Sequence, residues 1–531
     1  MPNSSQSPDA VIIGGGHNGL VCAYYLAKKG LQVQVYEKRS VVGGAAVTEE
    51  FYPGFRNSVA SYTVSLLNPQ IIQDMKLKEY GLKVVKRPIS NFLPINHSTY
   101  LKLGGGLERT QEEFKKFSAQ DAARLPEYYD RIEAVADVLR DLSVKTPPNP
   151  KQGIKAALNA ALQLWPIATK GNQVHRDVYD LFTKSARSFL DSWFENEHVK
   201  AAFGFDSIVG NFASPDTPGS AYVLLHHVFG EVDGEKGAWG HAIGGMGSIT
   251  QAMQKACKYE GVEIFTDASV QKVIVENGAA TGIELDDGRS IIARKVVSNL
   301  NPKLLYKKLI AEEDLDPEFN RSMDGYKCGS GTFRMNVALS ELPDFTSLPG
   351  KETAEHHQSG IVIAPTLDYM DKAYIDAKSD GWSKAPIVEM LIPSTMDDTL
   401  APKGQHVASL FCQQFSPSLS EGASWHDHKL AAADTIIDTV TAHAPNFKES
   451  ILGMMILSPL DLEEKFGLIG GDIMHGQMSL DQMWAARPLM NYGNYRGPLK
   501  SLYMCGSGTH PGGGVTGLPG KNAAREILKD K

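Results

Sequence analysis

The chain is poor in cysteine, with five in 531 residues, at positions 22, 257, 328, 412 and 505. No two form a CxxC or CxxxxC motif, which argues against a redox dithiol beside a cofactor and against a disulfide framework. Scattered single thiols fit a reducing compartment. No window of about 20 residues is apolar enough to span a bilayer. Met1 to Pro8 holds neither the apolar stretch of a secretory signal nor the arginine-rich pattern of a transit peptide. The expected location is therefore the cytoplasm or another reducing compartment, the mitochondrial matrix included, and not outside the cell. There is no lysine–arginine block: 53 basic residues are interspersed with 61 acidic ones, for a net charge of −8, so nucleic acid is not an expected partner. Repeats, low-complexity stretches, an HExxH pattern and a Ser/His/Asp arrangement are missing too, and no metal site is expected.

Glycine, by contrast, is abundant and placed with purpose. The run Val11 to Ile13 reads as a buried strand flowing into Gly14-x-Gly16-x-x-Gly19. A helical pattern, Leu20 to Lys29, follows and stops at Gly30; a second strand, Leu31 to Tyr36, ends on Glu37. This is the start of a βαβ dinucleotide-binding unit. Gly14 allows the tight turn, Gly16 leaves room for a pyrophosphate, and Gly19 lets helix and strand pack closely. The helix N-terminus offers free N–H groups to the phosphates, and Glu37 stands where a carboxylate accepts from a ribose. Lys38, next to it, is counted with the cofactor-binding residues. A second glycine pair, Gly43-Gly44, follows directly. It is not part of the NAD fingerprint, and its bare backbone suits a longer cofactor, so FAD is the expected ligand.

Two further segments look like parts of the same unit. Gly244-Gly245-Met246-Gly247-Ser248 leads into a helical pattern with Ile249, Ala252, Met253 and Ala256 on one face. Short strands follow at 262–265, 268–275 and 282–285, then a hairpin turn at Asp286-Asp287-Gly288 and one strand over 291–297. Near the end, a strand at 502–505 meets a glycine-rich loop, Gly506 to Gly517, and a final helix with Thr516 as N-cap and Pro519 in its first turn. Residues 111–235 carry helical patterns and 306–479 strand-like ones, with no phosphate-binding loop in either.

These motifs, with Pro53-Gly54-Phe55, Val297-Ser-Asn-Leu-Asn-Pro302 and Gly508-Thr-His-Pro-Gly512, fall in an order that resembles the FAD-dependent phytoene desaturases and carotenoid isomerases of the amine-oxidase superfamily. The branch it is most similar to is named for a disulfide oxidoreductase domain, yet this chain lacks the dithiol spacing. The resemblance implies an α/β fold: a Rossmann-type, GR2-like FAD domain built from 1–110, 236–305 and 480–531. A mixed α+β substrate domain is inserted, helical over 111–235 and β-rich over 306–479. It implies that Gly14, Gly16 and Gly19 hold the pyrophosphate and Glu37 the ribose. Gly44 and Ala45 would follow the ribityl stretch, and Val270 would touch adenine through its backbone. Gly506, Val515 and Thr516 would flank the ribityl and flavin.

His510, inside the flavin-facing loop, is the candidate acid/base or flavin-polarising group. The plainer alternative is that it fills the loop and bonds to backbone. Arg334 and Trp239 are pocket candidates by position. The adjacent pairs His226-His227 and His356-His357 point to different faces, so neither alone builds a metal site. The expected activity is hydride transfer between an apolar, polyene- or isoprenoid-like substrate and flavin, of desaturase or isomerase type. No second GxGxxG unit offers a seat for nicotinamide, so oxygen or a quinone is the expected electron acceptor. The alternatives are an NAD-dependent dehydrogenase and a non-enzymatic binding protein of the dissociation-inhibitor type. A last candidate is peripheral membrane contact through Ile154, Ala157, Leu158, Ala161, Leu162 and Trp165, one helical stripe between lysines. Its polar face is thin in positive charge, and the preferred reading packs this stripe on the substrate domain.

Overall fold

The computed structural model describes residues 7–530; the side chains of His226 and His227 lie outside the described residues, as does most of the Met1–Pro8 segment. Ala10–Ile13 is apolar throughout and buried throughout, the signature of a strand covered on both faces. It is the centre of a five-stranded parallel sheet ordered Glu263–Phe265, Val33–Tyr36, Ala10–Ile13, Lys295–Ser298, Leu502–Met504. The two-residue period of the strand divides its side chains. Ala10 and Ile12 pack with the helices His17–Ala27, Gly247–Tyr259 and Leu518–Ile527. Val11 and Ile13 pack with the meander Val270–Glu276, Ala279–Leu285, Ser290–Ile292 on the opposite face. The single strand expected over 291–297 is thus two strands. Ile291 and Ile292 close the meander, whereas Val296 and Val297 enter the parallel sheet. The break at Ala293-Arg294 lets one apolar run serve both sheets.

A second sheet of seven strands runs Ile451–Leu457, Thr332–Leu339, His406–Phe415, Trp382–Leu391, Gly360–Ile363, Asn91–Pro94, Tyr100–Leu103. Residues 91–103, grouped by sequence with the nucleotide unit, are its far edge. Asn91 and Phe92 pair in parallel with Gly360 and Ile361, a hydrogen-bonding partnership that local periodicity does not reveal. One face of this sheet carries the helix Trp425–His443. The other meets a helical layer whose core is a cluster of rings about Tyr128: Phe189, Trp193, Phe194 and Phe203.

The helix Ile154–Ala168 lies on the outside of that layer, and it corrects the expectation of a packed stripe. Ile154 is 81% exposed, Leu158 61%, Leu162 73% and Trp165 66%. What it turns inward is Ala156 and Gln163, and the Gln163 amide donates to the Thr146 carbonyl at 2.7 Å. A small residue and a satisfied amide seat the helix, which leaves its large apolar side chains in solvent. Among the described residues no helix is long and apolar enough to cross a membrane.

Candidate functional site

The carboxyl ends of three neighbouring strands converge on one point. Gly14 leaves Ala10–Ile13 at φ +93°, a conformation that L side chains rarely adopt. Gly15 N–H then donates to the Glu37 carboxylate at 2.8 Å, and Arg39 N–H donates to its other oxygen at 3.0 Å. Glu37 is therefore fixed by backbone at the end of its strand, with lone pairs left over. Asn299, just beyond Lys295–Ser298, receives Gly14 from below, its amide donating to the Gly14 carbonyl at 3.3 Å. A Cβ on Gly16 would lie 2.7 Å from that amide nitrogen, and one on Gly44 would lie 3.3 Å from Gly16 Cα. Gly16 and Gly43 form an isolated parallel bridge, so the two glycine motifs face one another. Gly19 packs helix on strand, since a Cβ there would sit 2.4 Å from the Gly14 carbonyl oxygen.

Of these, Gly14, Gly16, Glu37, Arg39, Gly43, Gly44 and Asn299 line a cavity of about 630 Å³. Glu37, Lys38, Ser269 and Val270 mark one end, Gly14, Gly16, Gly44 and Ala45 the middle, and Tyr62, Val64, Trp239, Phe411 and Val515 the other walls. The helix His17–Ala27 begins at Gly16 with no acidic residue in its first turn, which leaves its N-terminal N–H groups and partial positive charge for an anion. Three residues that sequence reasoning missed also line it: His17, Asn18 and His475. His17 Nε2, Asn18 Oδ1 and His475 Nδ1 are buried without any partner in the protein. Burial holds His17 neutral, its pKa lowered to about 4, and burial followed by the nearby His17 and Arg487 lowers His475 to about 3. Orphaned polar atoms, bare glycine backbone and a helix N-terminus together fit a dinucleotide with a long polar chain. The signal for His17 and Asn18 lay inside the glycine motif itself. His475 is distant in sequence and carried none.

The C-terminal loop divides its residues between two sides. Gly514 and Val515 line this cavity. Gly506 does not; it packs on the Asn299 backbone, where a Cβ would meet the carbonyl oxygen at 2.6 Å. Thr516 and His510 face a second cavity. The helix start also shifts by one: Gly517, left-handed at φ +74°, is the N-cap of Leu518–Ile527, although Thr516 Oγ1 still accepts from Leu518 N–H at 3.1 Å. His510 Nε2 is bonded to the Leu142 carbonyl at 3.0 Å, and burial lowers its pKa to about 4. One ring nitrogen is thus held by backbone, and the residue lines the second cavity, not the first.

Trp239 is a wall residue, whereas Arg334 stands one layer back. Its guanidinium lies 4.6 Å over the Tyr62 ring and donates to the Leu410 carbonyl and Ser409 Oγ at 2.7 and 2.8 Å. Tyr62 stacks on Phe411 at 4.9 Å and donates its hydroxyl to Glu389. His356 and His357, expected to point to different faces, instead lie with ring centroids 3.9 Å apart, tilted by 39°, in the core, because they sit in a tight helical turn, and His357 is bound to the Ala354 N–H and the Pro343 carbonyl. The fold also brings together Cys22 and Cys505, which spacing kept apart. Burial and the Cys505 thiol push the Cys22 thiol well up, and a thiol held protonated is a poor nucleophile.

Fold and site define an FAD-binding oxidoreductase. The sequence model of the flavin containing amine oxidoreductases matches residues 19–332, and the chain belongs to that family. It is 40% identical to the rat protein called pyridine nucleotide-disulfide oxidoreductase domain-containing protein 2, over 98% of this chain and 93% of the other. One component of the limonene dehydrogenase of Castellaniella defragrans is 25% identical (98% and 94% covered), and the lycopene-forming phytoene desaturase of Pantoea ananas 24% (98% and 99%). An oxidoreductase from Methanosarcina mazei has the same fold, with a TM-score of 0.61 at 15% identity over 98% of this chain and 100% of that one. Cyclohexylamine oxidase from Brevibacterium oxydans gives 0.56 at 15%, over 99% of both chains.

Proposed function

We propose that this FAD enzyme oxidises or isomerises an apolar, isoprenoid- or polyene-like molecule. The observation that carries the reading is the wall of the cavity beyond the glycine motifs. Tyr62, Val64, Leu66, Leu67, Val209, Trp239, Met246 and Phe411 surround it, and the Tyr62 hydroxyl is already committed to Glu389. Such a wall offers hydrocarbon contact and excludes water, while the carboxylates in the lining are Glu37, read as the ribose partner, Glu463 and Glu464. Among relatives, a limonene dehydrogenase component and a phytoene desaturase support a hydrocarbon over an amine.

When bound, FAD supplies the two-electron centre that exchanges hydride with a substrate carbon. Gly14, Gly16, Gly19, Gly44 and Ala45 would hold its pyrophosphate and ribityl stretch, Glu37 and Lys38 its ribose end, and Val270 its adenine. The loop through Val515 brings the start of Leu518–Ile527 near the cavity, and the positive end of a helix favours negative charge on a reduced ring. Oxygen or a quinone is the proposed acceptor, and a membrane surface the proposed meeting place for an insoluble substrate. Anaerobic titration tests the reading. A terpene or polyene from a hydrocarbon panel should bleach the visible flavin bands, and primary amines should not. Bleaching by amines alone would overturn it.

A further inference from the structure

A second cavity, of about 380 Å³, lies across the C-terminal loop from the first. Leu66 and Leu67 line both, and Gly513 faces one where Gly514 faces the other, so a thin partition separates them. A flavin dinucleotide exceeds the drug-sized ligands that fill sites of about 300–1,000 Å³, which leaves little of the first cavity for a long substrate. The second is walled by Leu139, Ile167, Val178, Phe182, Tyr222 and Trp484. Its polar neighbours are largely committed within the protein. Arg140 pairs with Glu133 and Asp137 and donates to the Val228 and Phe229 carbonyls, and His510 Nε2 is bonded to Leu142; Glu231 is the carboxylate on the rim. The helix Ile154–Ala168 adjoins it from outside: Ile167 and the 39% exposed Leu164 line the cavity, while Ile154, Leu162 and Trp165 stand in solvent. One helix is thus apolar on both sides of the wall.

We infer that this second cavity is a binding site for a hydrocarbon chain, the unreacting part of the substrate, which reaches the flavin cavity past Leu66 and Leu67. The inference deepens the reading of the substrate as apolar and rests on it. The wall is chiefly apolar, with Trp484 Nε1 buried without a partner, so a charged or strongly polar ligand finds little there to repay its desolvation. A long chain threaded between the cavities would place its reacting carbons by the length of chain held in the second.

The test titrates purified FAD-bound protein with bromododecane, whose bromine quenches tryptophan fluorescence on contact. Part of the emission should fall saturably, Trp484→Phe should remove that part, and excess hexadecane should restore it. Val178→Phe, which fills the wall, should raise the half-saturation about tenfold. Leu162→Glu, on the solvent side, should leave it unchanged. Quenching that never saturates, or that survives Trp484→Phe, overturns the site. If Val178→Phe loses its flavin, hexadecane competition and Trp484→Phe decide alone. A colourless preparation with saturable quenching sinks the flavin reading and keeps the site; a yellow one without it does the reverse.

Discussion

In the proposed placement of FAD, cofactor retention turns on Gly16. A Cβ there would lie 2.7 Å from the Asn299 amide nitrogen, closer than such contacts allow, and Gly44 stands opposite. Gly16→Val should yield protein without visible flavin absorbance, measured against the parent at equal concentration; stoichiometric FAD in the variant would refute the placement. The two neutral histidines beside it make acid the weak side of the molecule. His17 and His475, with pKa values lowered to about 4 and about 3, titrate near 6.5 once unfolded. Below pH 6.5 the unfolded chain takes up protons that the fold refuses, so stability is intact above that pH and is lost as pH falls toward 4. The thermal midpoint at saturating FAD should be level from pH 8 to 7 and fall from about 6.5 downward. His17→Asn should flatten that fall, and an unchanged slope would count against His17 as a contributor. Such residues were partly legible. That Gly14, Gly16, Gly19 and Glu37 come together could be read because one turn gathers them, whereas His475 and the Cys22–Cys505 contact depend on where remote segments land.

Elements were legible where burial alone sets the pattern, as at Ala10–Ile13 and at Gly247–Tyr259, whose inward face was read correctly. The helix Ile154–Ala168 shows the limit: an apolar stripe says that a face avoids water, not what covers it. Here the protein covers the opposite face. Leaving Leu158, Leu162 and Trp165 in solvent forgoes about 1.5–3 kcal/mol of burial for each large side chain. Between Leu142 and Arg176 the chain carries Lys145, Lys151, Lys155, Lys170 and Arg176 and no carboxylate, in a protein of net charge −8. The exposed apolar stripe with basic flanks, although the helix itself carries only Lys155, suits an anionic bilayer surface. In flotation with vesicles containing phosphatidylserine, the parent should rise with lipid. The triple variant Leu158→Glu, Leu162→Glu, Trp165→Glu should stay below while keeping its flavin spectrum, because these side chains hold no core. A parent that remains in the soluble fraction would end the membrane reading.

On the scale of the whole molecule, the cofactor cavity takes its wall from segments near residues 14, 44, 62, 239, 270, 299, 411 and 515. A ligand that touches so many segments stabilises all of them together, by mass action on the folded state alone. Adding FAD to stripped protein should raise the unfolding midpoint, by an amount set by about 2.7 kcal/mol at one hundred times the dissociation constant. Loss of one transition and appearance of two would show instead that the sheets unfold separately. The same scattering bears on how the protein is made. The parallel sheet needs Ala10–Ile13 and Leu502–Met504, with the seven-stranded sheet completed between them. At about 5–20 residues per second, a ribosome makes Lys295–Ser298 roughly ten to forty seconds before its outer partner, Leu502–Met504, arrives. Through that interval the apolar edge of Lys295–Ser298 has no partner, and the nascent chain must be shielded by a chaperone or tolerate an open sheet.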